Sequence, residues 1–533
     1  MKKVVLLAVN AKYTHSSLAV WIIAEGIAEF SEYQHDVNIV EATVNQSVHE
    51  ISASIIRYNP DVIGISSYIW NAGILPDLIK TLRSSLPGSI IVLGGPEASS
   101  NIDFWLNNGA NHVLQGEGEY NFPGFLDGLA FQEDKHEKKG TAENADPEHV
   151  INPYTEKYLS SLNGRLSYIE ASRGCMYRCS FCLSASTGIK YFPLDFVKSQ
   201  ILTLSKANTK TVKFVDRTFN CDPDRACELF TYVTELDTPV TFHFEIVADL
   251  FDDRIFSVLR TAPPGRIQFE IGLQSFHEPS LKAVSRNPDP YKAECNIRKL
   301  IKMQNIHIHI DLIAGLPYET LSDFKKGFDR AYFLGAHNLQ LGFLKVLHGS
   351  VMRKQADDFG IEYSSFPPYE VTSTTWLTVD DIEIIKTAEN ALQHTYNKKR
   401  FLSALHYVLS VTGESPFNLM YMLGKSAPNH GVQLEDYILN IYDFFIKLPG
   451  VEKNTLSDCL LYDWLCMVKG KNTPGFMKNY DERRKRVAGC AEKFLCRTLR
   501  REEVTVLNSG IGIFVDSNDR DPVTGLYRVY ICR

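Results

Sequence analysis

Cys175, Cys179 and Cys182 lie within EASRGCMYRCSFCLSAS, residues 170–186, at spacings of four and three residues. Thiolates this close along the chain converge on one face of a compact cluster, because so short a loop cannot separate them far. Iron and sulfur suit such a donor set. Zinc is the competing reading, but structural zinc ordinarily takes a fourth Cys or His, commonly from a second closely spaced pair. Cys221/Cys227, Cys459/Cys466 and Cys490/Cys496 are too far apart in sequence to act as such hooks. The last four read more plainly as buried helical cysteines. The triplet is one ligand short of a closed tetrahedral set.

The elements that must position it alternate in type. LSYIEA directly precedes the triplet, and from residue 166 strand-like stretches (TVKFVD, VTFHFEI, RIQFEIGL, IHIHIDLIAGL, NLQLGFLKVL) alternate with helical ones, giving six strand and helix units. Six parallel units curl into a partial barrel or open into a flat sheet, and sequence period alone does not choose. Upstream, residues 2–130 hold five strand-like runs (KVVLLAVN, DVNIVEA, DVIGISSYI, SIIVLGG, HVLQGEG) separated by amphipathic helical stretches. Nearly continuous apolar strands imply burial on both faces, hence a doubly wound parallel sheet whose ligands bind at the carboxyl ends of the strands. The residues just past those ends are Asn10 to His15, Ser66-Ser67-Tyr68, Gly94-Gly95-Pro96-Glu97 and Gly116-Glu117-Gly118-Glu119, a small and polar rim.

The chain therefore reads as an α/β protein: a doubly wound domain over 1–130, a linker over 131–164 whose charged first part, 131–150, is exposed, an alternating domain over 165–369, and a mainly helical region over 370–533. The terminal stretches VTVLNSGIGIFVD and GLYRVYICR read as two strands around a DRDPVTG turn. With 533 residues, 44% hydrophobic and 22% charged, two or three folded domains are expected. A net charge of −7, with no basic block beyond DERRKR at 481–486, gives no electrostatic reason to bind nucleic acid. Small-molecule or peptide partners are expected instead. Eleven cysteines on a long chain without a secretion signal imply reduced thiols and a cytoplasmic location. No apolar run reaches the ~18 residues of a membrane span.

The spacing C-x-x-x-C-x-x-C after a first barrel strand, with Phe181 before the last cysteine, resembles the signature of the radical S-adenosylmethionine (SAM) enzymes. The resemblance implies a 4Fe-4S cluster on Cys175, Cys179 and Cys182, with its fourth iron left for the amino and carboxylate groups of SAM. It spans about residues 165–350 and is similar to the branch that includes oxygen-independent coproporphyrinogen oxidase. GLQSF at 272–276, Arg286 in KAVSRNP and HIDLIAGLPYET at 309–320 match that branch in order. They imply Gln274, Ser275, Arg286 and Asp311 as SAM contacts, with Glu245 at the end of the third strand as a further one. Where many members carry a Gly-Gly pair after the second strand, this chain has FVDRTFN, so Asp216 is the candidate for the ammonium. The residue types suit the task, since carboxylates hold hydroxyls and ammonium and a guanidinium holds the acid.

The first domain resembles the cobalamin-binding domain of the cobalamin-dependent branch, through ISSYIWN, LGGPEAS and LQGEGE. Glycines let backbone approach a bulky ligand and hydroxyls hold its amide arms and tail. Ser66, Ser67, Gly94, Gly95, Glu97, Gly116 and Glu117 are the candidate contacts. A flavin or nucleotide domain is the alternative, though no G-x-G-x-x-G follows the first strand. The family's Asp-x-His-x-x-Gly is replaced by NAKYTHSSLA, which leaves His15 as a candidate cobalt ligand and Tyr13 or Tyr68 as other residues facing the metal. The combined resemblance implies a methyltransferase acting on an unactivated carbon through a 5′-deoxyadenosyl radical and methylcobalamin, supplied with electrons by a flavodoxin or ferredoxin. A non-methylating rearrangement, cyclisation or oxidation, a transfer-RNA methylthiolation enzyme and a non-catalytic sensor are the alternatives. Residues 1–130 contain no cysteine, which disfavours the second of these.

Overall fold

The computed structural model describes residues 1–131, 150–185, 187–426, 433–469, 473–477 and 482–532. The core of the charged stretch at 131–150 and the first residue of DERRKR lie outside the described residues. The chain forms two compact units: Met1–Ala262 with Lys282–Pro288 and Leu344–Thr374, and Pro263–Leu281 with Asp289–Phe343 and Thr375–Arg533.

In the first unit, β1 (Lys3–Asn10), β2 (Asp36–Thr43), β3 (Val62–Ser66), β4 (Ile90–Gly94) and β5 (His112–Leu114) pair in parallel in the order β2-β1-β3-β4-β5. The seven consecutive buried residues after Lys3 in β1 follow from helices on both faces of the sheet. Val5, Leu7, Ile63, Ile65, Ile91 and Leu93 meet Leu78 and Leu82 of the Leu75–Ser85 helix in one core. Each such fully buried side chain contributes about 1.5–3 kcal/mol. The strand order reverses at β1, so the crevice for a ligand opens past the carboxyl ends of β1 and β3.

The same unit contains β6 (Ser167–Ile169), β7 (Ser172–Cys175), β8 (Gly188–Tyr191), β9 (Thr211–Phe214) and β10 (Thr241–Ile246). β6, β9 and β10 pair in parallel, whereas β7 and β8 form an antiparallel hairpin. The loop after β1 is fastened to the start of β6: Leu166 N–H donates to Thr14 O at 2.8 Å and Ser16 N–H to Leu166 O at 3.3 Å. The later part of the expected linker is folded. Residues Glu156–Leu162 form a helix whose Tyr158 is buried, sets its ring edge-on to Trp21 at 5.4 Å and hydrogen-bonds Ser16 at 3.2 Å.

In the second unit, β11 (Ile267–Gln274), β12 (His307–Ala314) and β13 (Asn338–Phe343) pair in parallel. The strict alternation of buried and half-buried residues in β11 and β12 sets their polar side chains on one face. β6, β9 and β10 thus lie in the first unit, and β11, β12 and β13 in the second. Helices follow from Val379–His394 to Arg484–Leu495, and the chain ends in a small antiparallel sheet. That sheet has three strands, Val504–Val506, Gly512–Arg520 and Tyr527–Cys532, where the sequence pattern suggested two. VTVLNSGIGIFVD breaks at a turn in which Gly510 takes φ +88°. Among the described residues no helix is long and apolar enough to cross a membrane.

Candidate cofactor sites

Cys175 ends β7, and the hairpin that presents it depends on Gly174. This residue has φ +92°, and a Cβ there would collide with the Gly188 carbonyl. Cys179 and Cys182 lie in the loop between β7 and β8, where Cys182 N–H donates to Cys179 O at 3.0 Å. Ser180 pins that loop on both sides: its N–H donates to Val284 O at 3.0 Å and its carbonyl accepts Met352 N–H at 2.7 Å. None of the three thiols is in a disulfide; Cys175 and Cys179 are buried and Cys182 is half-buried, as is Phe181. Arg286 Nη1 donates to Cys179 Sγ at 3.7 Å, and the Thr218 hydroxyl lies 3.7 Å from Cys175 Sγ. Burial raises the Cys179 thiol pKa, and the Arg286 guanidinium works against it. Three thiols on a pinned loop, with a cation beside one of them, fit an iron–sulfur cluster, whose binding favours thiolate over thiol.

Of the other residues implied as SAM contacts, Asp216 is differently engaged. It is buried, its Oδ2 accepts Ala171 N–H at 2.9 Å and its Oδ1 accepts the Ser172 hydroxyl. Burial pushes its carboxyl up to about 7. Asp216 therefore fastens the entry to β7 rather than presenting a free carboxylate to an ammonium group. Glu245, on β10, lies 3.4 Å from Lys213 Nζ. These residues and Arg286 share the first unit with the cysteines.

Gln274, Ser275 and Asp311 belong to the second unit. Gln274 stands at a register shift between β11 and β12 with φ +70°, a conformation that costs a non-glycine residue about 1 kcal/mol or more. The Ser275 hydroxyl donates to Glu319, whose carboxyl burial pushes up to about 7. Asp311 is 3.1 Å from His309 Nε2, and with Glu270 their ligand atoms all lie within 4.8 Å of one another.

The rim of the first sheet has an open part and an occupied part. Gly95 has φ +99° and ψ 170°, and a Cβ on it would sit 2.6 Å from Ser67 O. Ser67 N–H donates to Gly94 O at 2.7 Å, while its hydroxyl is buried with no partner among the described residues. Ser66 donates to Leu7 O at 3.3 Å, and Gly116 bends the next loop at φ +81°. An unsatisfied hydroxyl beside a side-chain-free cradle fits a large ligand with amide arms, such as cobalamin. The charged and aromatic candidates are instead held by protein. Glu97 is buried and accepts the Tyr369 hydroxyl at 2.5 Å. Glu117 is 2.9 Å from Arg173. His15 Nδ1 shares a short hydrogen bond with the Tyr168 hydroxyl, and the two rings stack. Tyr68 stacks on Trp70 at 4.3 Å, and Tyr13 is exposed.

The family model described as Radical SAM superfamily matches residues 169–331, and that described as B12 binding domain matches residues 4–126. This chain carries a radical SAM domain and a B12-binding domain. The two models name the two small-molecule cofactors that the sequence pattern implies, and the B12 match stands where a methylthiolation enzyme would bring its second cysteine set. A third model, a protein family of unknown function (DUF4080), matches residues 357–505. The chain is 23% identical over 346 residues to the cobalamin-dependent radical SAM methyltransferase TokK of Streptomyces tokunonensis, covering 59% of this chain and 50% of TokK. It is 32% identical over 167 residues to the hopanoid C-3 methylase of Methylococcus capsulatus, covering 28% and 32%. The chain spans about half the length, or less, of these curated relatives. Its fold is similar to that of TsrM from Kitasatospora setae, with TM-score 0.57, 16% identity and coverage of 69% and 80%. It is also similar to OxsB, with TM-score 0.61, 12% identity and coverage of 87% and 78%.

Sequence spacing missed residues that the fold places beside these sites. Cys221, set aside as a poor metal hook, ends a short helical turn after β9 where its thiol is pushed up to about 11 by burial and by the charge of Cys175. The signal that could have found it is its place just past the second barrel strand, the counterpart of Cys175 past the first. Arg173 and Tyr369, which occupy the rim carboxylates, carry no local signal, because their partners are 54–56 and 272 residues away in sequence.

Proposed function

We propose that this protein is an enzyme that methylates an unactivated carbon of a small-molecule or peptide substrate, using a 4Fe-4S cluster, SAM and cobalamin. The observation that carries this reading is the first unit itself, in which a pinned three-thiol loop and an open, unsatisfied B12 rim are built on one framework. When bound, the cluster supplies the electron that cleaves SAM to a 5′-deoxyadenosyl radical, and cobalamin carries the methyl group. Cys175, Cys179 and Cys182 hold the cluster, and burial of the first two excludes water from it. Arg286 and Glu245, in the same unit as the cysteines, hold polar ends of SAM, while Asp216 keeps the Cys175 strand in place. Gly94, Gly95, Gly116, Ser66 and Ser67 let backbone and hydroxyls meet cobalamin at close range. A flavodoxin or ferredoxin supplies electrons. The test is anaerobic reconstitution with iron, sulfide and hydroxocobalamin, followed by mass spectrometry of SAM products in the presence of candidate substrates. Equal amounts of 5′-deoxyadenosine and S-adenosylhomocysteine per methylated product are expected. Formation of 5′-deoxyadenosine without S-adenosylhomocysteine would assign a non-methylating radical reaction instead.

A further inference from the structure

Arg173 stands two residues before Cys175 and gathers three carboxylates around one guanidinium. Its Nη1 is 2.9 Å from Glu117, and its Nη2 is 2.6 Å from both Glu119 and Glu170. Glu117 comes from the loop after β5 and Glu119 from the first turn of the helix Gly118–Phe131, both inside the stretch matched by the B12-binding family, whereas Glu170 directly follows β6 and Arg173 is on β7. The pairs are sheltered: side-chain exposure is 22% for Arg173, 5% for Glu119 and 20% for Glu170. Arg173 also covers the Phe192 ring at 5.4 Å. Exposed ion pairs hold little, but a partly buried guanidinium with several charge-assisted partners has a fixed fork geometry that resists sliding. Both ends of this contact are stiff. On one side, Gly26 lets the Glu119 carbonyl approach so closely that a Cβ would clash with it. On the other, Gly174 fixes the register of the hairpin that carries Cys175. The Arg173 side chain thus joins the end of the β5 segment to the strand that carries the first cluster cysteine.

We propose that Arg173 is a positioning residue, the centre of an ionic latch with Glu117, Glu119 and Glu170 that couples occupancy of the B12 rim to the placement of the Cys175 strand. The inference rests on the two-cofactor reading above. Coupling of this kind is reciprocal, so it is measurable from either ligand. The experiment is the dissociation constant of the full chain for hydroxocobalamin, with the cluster reconstituted and with iron and sulfide removed, for the unaltered protein, R173Q and R173K. In the unaltered protein, cluster loading changes the dissociation constant by about fivefold or more. In R173Q the ratio falls to about one, while R173K, which keeps the charge, restores part of it. Iron content and the thermal midpoint of each variant separate this effect from loss of fold. Should R173Q fail to fold, Glu117→Gln takes its place, since it removes the most exposed of the three carboxylates and leaves the other two pairs. A reduced ratio in that variant supports the latch and an unchanged ratio overturns it. Binding without any cluster dependence in the unaltered protein overturns the latch alone. Failure of the unaltered protein to bind hydroxocobalamin overturns the two-cofactor reading, and the latch with it.

Discussion

The cluster loop and the B12 rim sit in the same unit, yet they keep different things available. In the cluster loop the ligating side chains themselves remain uncombined by disulfide, and the bonds that pin the loop at Ser180 are made by backbone. On the rim the pattern is reversed. Glu97, Glu117 and His15 are held by Tyr369, Arg173 and Tyr168, and what stays open is a glycine cradle and the Ser67 hydroxyl. A metal cluster needs particular donor atoms, so residue type marks its site. A large organic cofactor needs room and close backbone, so its site is marked by missing side chains, and the conspicuous charged residues beside it serve the framework.

The comparison breaks most sharply at Cys179. Cys179→Ala is expected to abolish 5′-deoxyadenosine formation and the cluster absorbance while leaving hydroxocobalamin bound, as read by anaerobic visible spectra. Retained cleavage of SAM would sink the assignment of the loop. On the rim the counterpart is Gly95→Ala. Its φ and ψ lie in a region essentially closed to other residues, and the added Cβ meets Ser67 O. Together these cost the fold about 3 kcal/mol, and the shift of Ser67 that relieves the clash should lower hydroxocobalamin affinity, read by titration of the folded variant. Iron loading should be unaffected, and an unchanged affinity would show that the cradle does not face the ligand.

Carboxylates drawn into the framework also make a prediction about pH. Glu319 is 1% exposed, and its carboxyl pKa is about 7 in place of 4.5. Between those values the folded protein keeps a proton that the unfolded chain has released, so this group's contribution to stability is present below pH 4.5 and is lost as pH rises through 7. The effect is of order 3 kcal/mol. Denaturant titrations of Glu319→Gln should show a shallower fall of stability across that range, and parallel curves for the two proteins would contradict it. The smallest effect is expected for Tyr369→Phe. It deprives buried Glu97 of its 2.5 Å hydrogen bond and should cost about 1–3 kcal/mol of stability, with hydroxocobalamin affinity little changed. A large loss of affinity would return Glu97 to the ligand site.

The same distinction explains what the sequence made legible. The cysteine spacing and the apolar strands could be read locally, since thiol type and β-branched runs each carry their own signal. Rim glycines were legible because left-handed or clashing backbone admits little else, as at Gly95 and Gly116. The roles of Asp216, Glu97 and Glu117 were not legible, because a carboxylate in sequence looks the same whether it meets a ligand or a distant Tyr369 or Arg173. In the region beyond residue 370 the helices could be read from their periodicity. The split of VTVLNSGIGIFVD into two strands was hidden by a turn that only Gly510 announces.

A chain that joins a SAM-cleaving cluster to a cobalamin site should reveal both in the products of SAM incubated with the anaerobically reconstituted, reduced full chain, with and without hydroxocobalamin. Mass spectrometry is expected to find 5′-deoxyadenosine in both cases, and S-adenosylhomocysteine only when hydroxocobalamin is present. A reconstituted protein that binds iron and hydroxocobalamin yet leaves SAM intact would contradict that expectation.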